Sequence, residues 1–161
     1  MHCAPVKLEV PADPAATERL GRWLGARLRA GDAIGLQGEL GAGKTTLVRG
    51  LAHGLGVDDP DAVQSPTYLL VVEHPGRVRL LHADAYLPAK LAGLLEDGGL
   101  EYLFDPTAVA VVEWAGRIAS AMPERCLWID LTPTSTGGRQ VTLRCQRPED
   151  FPFLAGMPKM F

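Results

Sequence analysis

Ala33-Ile34-Gly35-Leu36-Gln37-Gly38-Glu39-Leu40-Gly41-Ala42-Gly43-Lys44-Thr45-Thr46 is the stretch that decides the fold. Its first five residues read as a short apolar strand. Gly38 to Thr45 then matches G-x-x-x-x-G-K-[ST], the phosphate-binding P-loop. Lys44 to Leu55 reads as a helix stopped by Gly56. Each part has a physical task. The glycines let backbone N–H groups turn inward around phosphate oxygens, and the helix offers the positive end of its dipole to the same anion. Lys44 would neutralise charge between the β- and γ-phosphates, and the Thr45 hydroxyl would ligate Mg²⁺. Gly38, Glu39, Leu40, Gly41, Ala42, Gly43, Lys44, Thr45 and Thr46 are therefore the candidate nucleotide-binding residues.

Outward from this stretch, strands and helices alternate. Val6 to Val10 alternates as a strand does. Asp13-Pro14 reads as an N-cap followed by proline in the first turn, and Leu20, Trp23, Leu24 and Leu28 follow at helical spacing, with Gly31 ending the helix. Asp58 to Ser65 is a polar loop. Tyr68 to Glu73 and Arg77 to Ala83 flank Pro75-Gly76 as an antiparallel hairpin. Pro88 to Leu95 reads as a helix. Ala108 to Val112 is a continuous apolar run, the mark of a strand buried on both faces. Ala115 to Ala121 is a short helix, and Cys126 to Leu131 and Gln140 to Cys145 are strands joined by a Thr/Ser/Gly turn. The expected fold is α/β, a P-loop NTPase-like mixed sheet flanked by helices with an antiparallel hairpin. Residues 1–146 are expected to make one P-loop domain. Residues 147–161, with three prolines and no clear period, read as a flexible C-terminal tail.

Composition narrows the function classes. The chain has 161 residues, the size of one domain, with 19 acidic against 16 basic side chains and a net charge of −3. That argues against a dedicated nucleic-acid binder, which carries a basic excess, but not against a partner that itself touches RNA. Cys3, Cys126 and Cys145 have neither zinc-ligand nor disulfide-framework spacing. Met1-His2-Cys3-Ala4-Pro5 has no basic stretch leading into an apolar run, and no segment approaches a membrane span. A cytoplasmic protein without a membrane role is expected.

A P-loop enzyme also needs carboxylates at the ends of neighbouring strands. Asp84 closes Val78 to Ala83, and Glu113 closes Ala108 to Val112. One would serve the metal and the other the attacking water; spacing does not assign the two. Thr67 in Ser65-Pro66-Thr67 is either a switch threonine that senses the γ-phosphate or part of an ordinary turn. Trp114 is either a wall of the nucleotide pocket or a core residue. His82 reads as packed and His53 as a surface residue. Arg49 and Arg117 are phosphate or partner contacts, or ordinary exposed arginines.

Taken in order, the P-loop with Thr46, then Ser65-Pro66-Thr67-Tyr68, then His82-Ala83-Asp84-Ala85-Tyr86, then Val112-Glu113-Trp114 resemble the TsaE (YjeE) family, over about Val6 to Arg144. The resemblance implies a small P-loop ATPase of bacterial tRNA threonylcarbamoyladenosine synthesis. Such a protein binds ATP and Mg²⁺, hydrolyses ATP slowly alone, and associates with the TsaB–TsaD heterodimer. That heterodimer transfers threonylcarbamoyl to N6 of adenosine 37, so tRNA is met indirectly, through the complex. The ATPase performs no transfer itself and supports turnover. The resemblance keeps Lys44 and Thr45 in their P-loop roles, puts Thr67 in a switch-like segment and Asp84 near the metal, and places Glu113 and Trp114 in the nucleotide site. One departure stands out. The family pattern usually reads aspartate-leucine-tyrosine-arginine, and here Leu87 follows Tyr86. Arg79 and Arg117 are the candidates to replace that arginine.

Two other classes use the same loop. A small-molecule kinase would carry an arginine-rich lid, and no arginine cluster is present. A non-enzymatic module would use ATP only to order a switch loop that docks a partner. No Asn-Lys-x-Asp run reads guanine, which favours ATP.

Overall fold

The computed structural model describes residues 4–39, 41–66 and 70–161. Seven strands form one sheet in the order β1-β7-β6-β2-β5-β4-β3. They are β1 (Val6–Val10), β2 (Ala33–Gln37), β3 (Val71–His74), β4 (Arg79–Asp84), β5 (Ala108–Glu113), β6 (Cys126–Pro133) and β7 (Arg139–Arg144). The central four, β6, β2, β5 and β4, are parallel, so their C-terminal ends share one edge. β3 pairs antiparallel with β4, and β7 runs antiparallel to both β6 and β1. The mixed α/β sheet with its hairpin is the expected architecture. All six residues of β5 are buried, as a central strand covered on both faces requires.

Helices α1 (Pro14–Gly25) and α2 (Lys44–Leu55) pack with Leu20, Leu24, Leu47 and Leu51 in the core cluster that also holds Leu80, Val109 and Val111. The other face of β4 and β5, with Leu81, Ala83, Ala110 and Val112, clusters with Leu91 of α3 (Pro88–Leu94), Leu103 of α4 (Leu100–Leu103) and Ile118. The result is a three-layer sandwich.

Asp13 caps α1, its carboxylate accepting the Ala15 N–H at 3.0 Å, with Pro14 in the first turn. The two helices approach closely because glycine faces glycine. A Cβ on Gly21 would lie 2.5 Å from the Leu47 carbonyl oxygen and 2.8 Å from Gly50 Cα. Gly21→Val is expected to cost about 3 kcal/mol, because two backbones must separate to admit it. Gly93→Ala in α3 is the control. Its added methyl meets nothing within 4 Å, so it should leave stability unchanged or raise it by up to about 1 kcal/mol through helix propensity. Urea unfolding of both variants measures the contrast, and equal stabilities would contradict the close helix crossing.

Several boundaries differ from the sequence reading. The first helix ends at Gly25, not Gly31. Its Ala26 and Leu28 N–H groups close the last turn on Arg22 and Leu24, while Gly31 sits at φ 95° and donates to the Ala108 carbonyl instead. Leu28 is buried outside the helix, which is why its spacing mimicked one more turn. The third helix does not stop the chain's helical run: after a kink at Asp97 and Gly98, α4 follows, hidden in the sequence by Gly98-Gly99. Ala115–Ala121 is a 3₁₀ segment kinked at Ile118.

Residues 147–161, expected as a flexible tail, are packed against the domain. Two short 3₁₀ turns, each opened by a proline, bury Phe151 and Leu154 in the first cluster. Trp23 meets the rings of Phe153 at 5.9 Å and Phe161 at 6.2 Å, both edge to face. Arg19 donates to the Phe161 carbonyl at 2.7 Å. The segment lacks a 3.6-residue period because 3₁₀ turns repeat every three residues. Its bulky aromatic content is the signal of burial. Among the described residues no helix is long and apolar enough to cross a membrane.

Candidate functional site at the sheet's C-terminal edge

The site forms where β2 runs into α2. Gly43 stands at φ 100° as the N-cap, a left-handed conformation that a side chain would strain, and it turns the strand abruptly into the helix. Beside this turn lies a cavity of about 460 Å³. Gly41, Gly43, Lys44, Thr45 and Thr46 line it from the loop and helix, Glu113 from the end of β5, and Ser65, Tyr86 and Trp114 from the segments that flank the strands. Gly38 and Glu39 stand behind Lys44: their carbonyls accept its ammonium at 2.5 and 3.0 Å. Ala42 is buried beneath the loop. Leu40, Thr67 and Tyr68 lie outside the described residues.

Lys44 is almost wholly buried. Burial pushes its ammonium below the usual lysine range, and the negative charges of Glu113, Asp84 and Glu39 oppose that fall. Its Nζ also lies 4.2 Å from the Trp114 ring centroid. Trp114 is therefore a wall of the cavity. Its φ of 59° is a left-handed backbone unusual for so bulky a residue, and it directs the chain sharply out of β5.

The two carboxylates stem from neighbouring positions in register, Asp84 of β4 beside Glu113 of β5, and the Ala85 N–H closes the strand pair on the Glu113 carbonyl at 2.9 Å. Both are buried. Glu113 lines the cavity. Asp84 lies one layer behind, accepting the Ser65 hydroxyl at 3.1 Å and the Tyr86 N–H at 2.7 Å. The glycine-bearing loop, Lys44, the Thr45 hydroxyl and the two carboxylates could hold a phosphate chain and a hard, oxygen-liganded cation such as Mg²⁺.

A family model described as threonylcarbamoyl adenosine biosynthesis protein TsaE matches residues 11–141, which hold the loop, both carboxylates and Trp114. The chain belongs to the TsaE family. It is 39% identical over 127 residues to the tRNA threonylcarbamoyladenosine biosynthesis protein TsaE of Treponema pallidum, a match covering 79% of this chain and 92% of that one. To the protein of the same name from Bacillus subtilis it is 34% identical over 131 residues, covering 81% and 80% of the two chains. Its fold is similar to the crystal structure of Bacillus subtilis YdiB, with a TM-score of 0.75 at 27% identity over 97% of this chain and 94% of that one.

Within this TsaE-family site, Arg117 and Arg79 part company. Arg79 is bound to Glu73 and Asp105 at the opposite end of β4. Arg117 stands over the rings of Trp114 at 4.7 Å and Tyr86 at 4.8 Å, and its guanidinium donates to the Tyr86 carbonyl. Of the two candidates for the arginine that Leu87 replaces, only Arg117 reaches the site, and it braces the aromatic wall. Arg49 is occupied elsewhere, by the Val63 carbonyl and Glu18, and His53 faces Asp61.

Two residues gained no role in the sequence reading. His82 is taken up below. Arg139, at the start of β7, donates to the outward carbonyls of Ala42 at 2.7 Å and Gly41 at 3.0 Å, and to those of Gly137 and Gly138 in its own turn. These bonds tie the loop to the turn that precedes β7. Nothing in the sequence announces this contact, which spans almost a hundred positions. On the ATPase function proposed below, Arg139→Ala is expected to raise the KM for ATP roughly tenfold, the worth of a charge-assisted hydrogen bond. Arg139→Lys should recover only part of that, since one ammonium cannot bridge two turns as a guanidinium does. A KM unchanged in Arg139→Ala would show that the loop holds its shape alone.

Proposed function

We propose that this TsaE-family protein is a Mg²⁺-dependent ATPase that serves tRNA threonylcarbamoyladenosine biosynthesis as an accessory subunit of the TsaB–TsaD heterodimer. It hydrolyses ATP slowly alone and faster with the heterodimer, and has no transfer chemistry of its own. The observation that carries the reading is the pair of carboxylates, Asp84 and Glu113, in register across adjacent strand ends beside the P-loop lysine. A module that merely bound Mg·nucleotide would need one carboxylate for the metal; the second, Glu113, which lines the cavity, is then left to orient an attacking water.

The chemistry is in-line attack of water on the γ-phosphate. The inward N–H groups of the loop and Lys44 hold the phosphates and stabilise the charge that develops on them. Glu113, which lines the cavity, orients the water. When bound, Mg²⁺ would be held by Thr45 with Asp84 behind it and would screen the phosphate oxygens. Trp114 and Tyr86, braced by Arg117, wall the nucleotide. Thr67 completes the switch-like segment. Contact with tRNA falls to the partners, in keeping with the chain's acidic balance. A cytoplasmic location follows from that pathway.

The test is phosphate release from Mg·ATP by the purified protein, with and without its own organism's TsaB–TsaD pair. A slow rate that rises with the pair is expected. Phosphate transferred to a small acceptor in place of water would turn the reading to a kinase. A rate indifferent to the folded pair would contradict the accessory role.

A further inference from the structure

His82 reads in the sequence as a packed residue, and the structure gives it a specific neighbour. Its Nε2 lies 2.5 Å from Glu113 Oε2, with both side chains buried. Strand alternation explains the meeting. His82 and Asp84 are two residues apart on β4 and share a face, and Glu113 pairs with Asp84, so all three point to the side of the sheet that α2 covers. A carboxylate only accepts, so the proton of this contact sits on His82 Nε2. The other ring nitrogen, Nδ1, has no hydrogen-bond partner among the described residues. Packing does not call for such a residue: an apolar side chain would fill the same space without leaving a buried nitrogen unpaired.

We propose that His82 is a positioning residue for Glu113. By taking Oε2 it fixes the carboxylate's rotation and leaves Oε1 for the cavity, where the attacking water is oriented. This rests on the reading of Glu113 given above. The hydrogen bond substitutes for the solvent that would otherwise order a carboxylate, and a small loss of alignment is costly: a displacement of about 1 Å at a reacting group can lower a rate roughly a hundredfold.

The experiment compares steady-state ATP hydrolysis by wild type, His82→Leu, His82→Gln and Glu113→Gln, with TsaB–TsaD present. His82→Leu should lose kcat by roughly ten- to a hundredfold while its KM for ATP stays within about twofold, because the phosphate cradle is untouched. His82→Gln, which restores an N–H donor to the same oxygen, should recover most of the rate. Adding His82→Leu to Glu113→Gln should cost little more, since the two act as one unit. A His82→Leu protein with wild-type kcat overturns the role of His82 alone. So does a His82→Gln protein as impaired as His82→Leu, with KM raised in both, which would mark a packing defect. A Glu113→Gln protein at the wild-type rate overturns the reading of Glu113 beneath it, and the two failures are thereby told apart.

Discussion

Lys44→Ala is expected to lose ATP hydrolysis by roughly 10²–10³-fold, the cost of removing one charged stabiliser from a pre-organised oxyanion-type site. The loss should appear in both ATP binding and kcat. In this structure the ammonium donates to the Gly38 and Glu39 carbonyls, lies over the Trp114 ring, and feels the negative charges of Glu113 and Asp84. Its removal takes away the only cation among the described residues that line the cavity. Asp84 and Glu113 would then face the phosphates with no lysine between them. Calorimetric titration with Mg·ATP, together with the phosphate-release rate, measures both parts. An unchanged hydrolysis rate would remove the cavity from the account altogether.

Glu113→Gln is expected to separate binding from chemistry. Glutamine keeps the size and one acceptor, and it cannot take up a proton or hold a water by charge. Hydrolysis should fall by roughly 10²–10⁴-fold, the range for removing a positioned base. ATP affinity should hold, or rise slightly, because a negative charge beside the phosphates is gone. Single-turnover hydrolysis measured against equilibrium binding makes the distinction. Equal loss of both would place Glu113 among the residues that shape the cavity and leave the water to another group.

The parallel core of the fold was open to reading because its signals are local. The P-loop spells strand, turn and helix in one stretch, and β2 and α2 lie where that stretch puts them, Ala33–Gln37 and Lys44–Leu55. β5 declared itself by unbroken apolar residues, as a strand covered on both faces does. The misreadings come from non-local causes. Leu28 is buried by packing beyond the helix end, so spacing alone extended α1. The C-terminal segment is held by Trp23, more than a hundred residues earlier, and its 3₁₀ turns carry no helical period.

The site divides in the same way. The loop residues, Glu113 and Trp114 are brought to one cavity by strand-end geometry that the sequence already implied. Strand alternation could also have put His82 on the face of Asp84, although not its contact with Glu113, which needs the pairing of β4 with β5. Arg117 was one of two candidates that spacing could not separate, and Arg139 could not be singled out among many arginines. Their roles depend on where a hairpin turn and a 3₁₀ segment come to rest.

The central claim is that ATP hydrolysis in this cavity sustains turnover of the modifying complex. The most direct measurement is the amount of threonylcarbamoyladenosine formed per TsaB–TsaD pair with excess tRNA and the threonylcarbamoyl adenylate donor supplied. Wild-type protein with Mg·ATP should support many cycles, whereas Lys44→Ala and Glu113→Gln should stop the reaction after roughly one. Repeated cycles at the wild-type rate with either variant, or with this protein left out, would contradict the account.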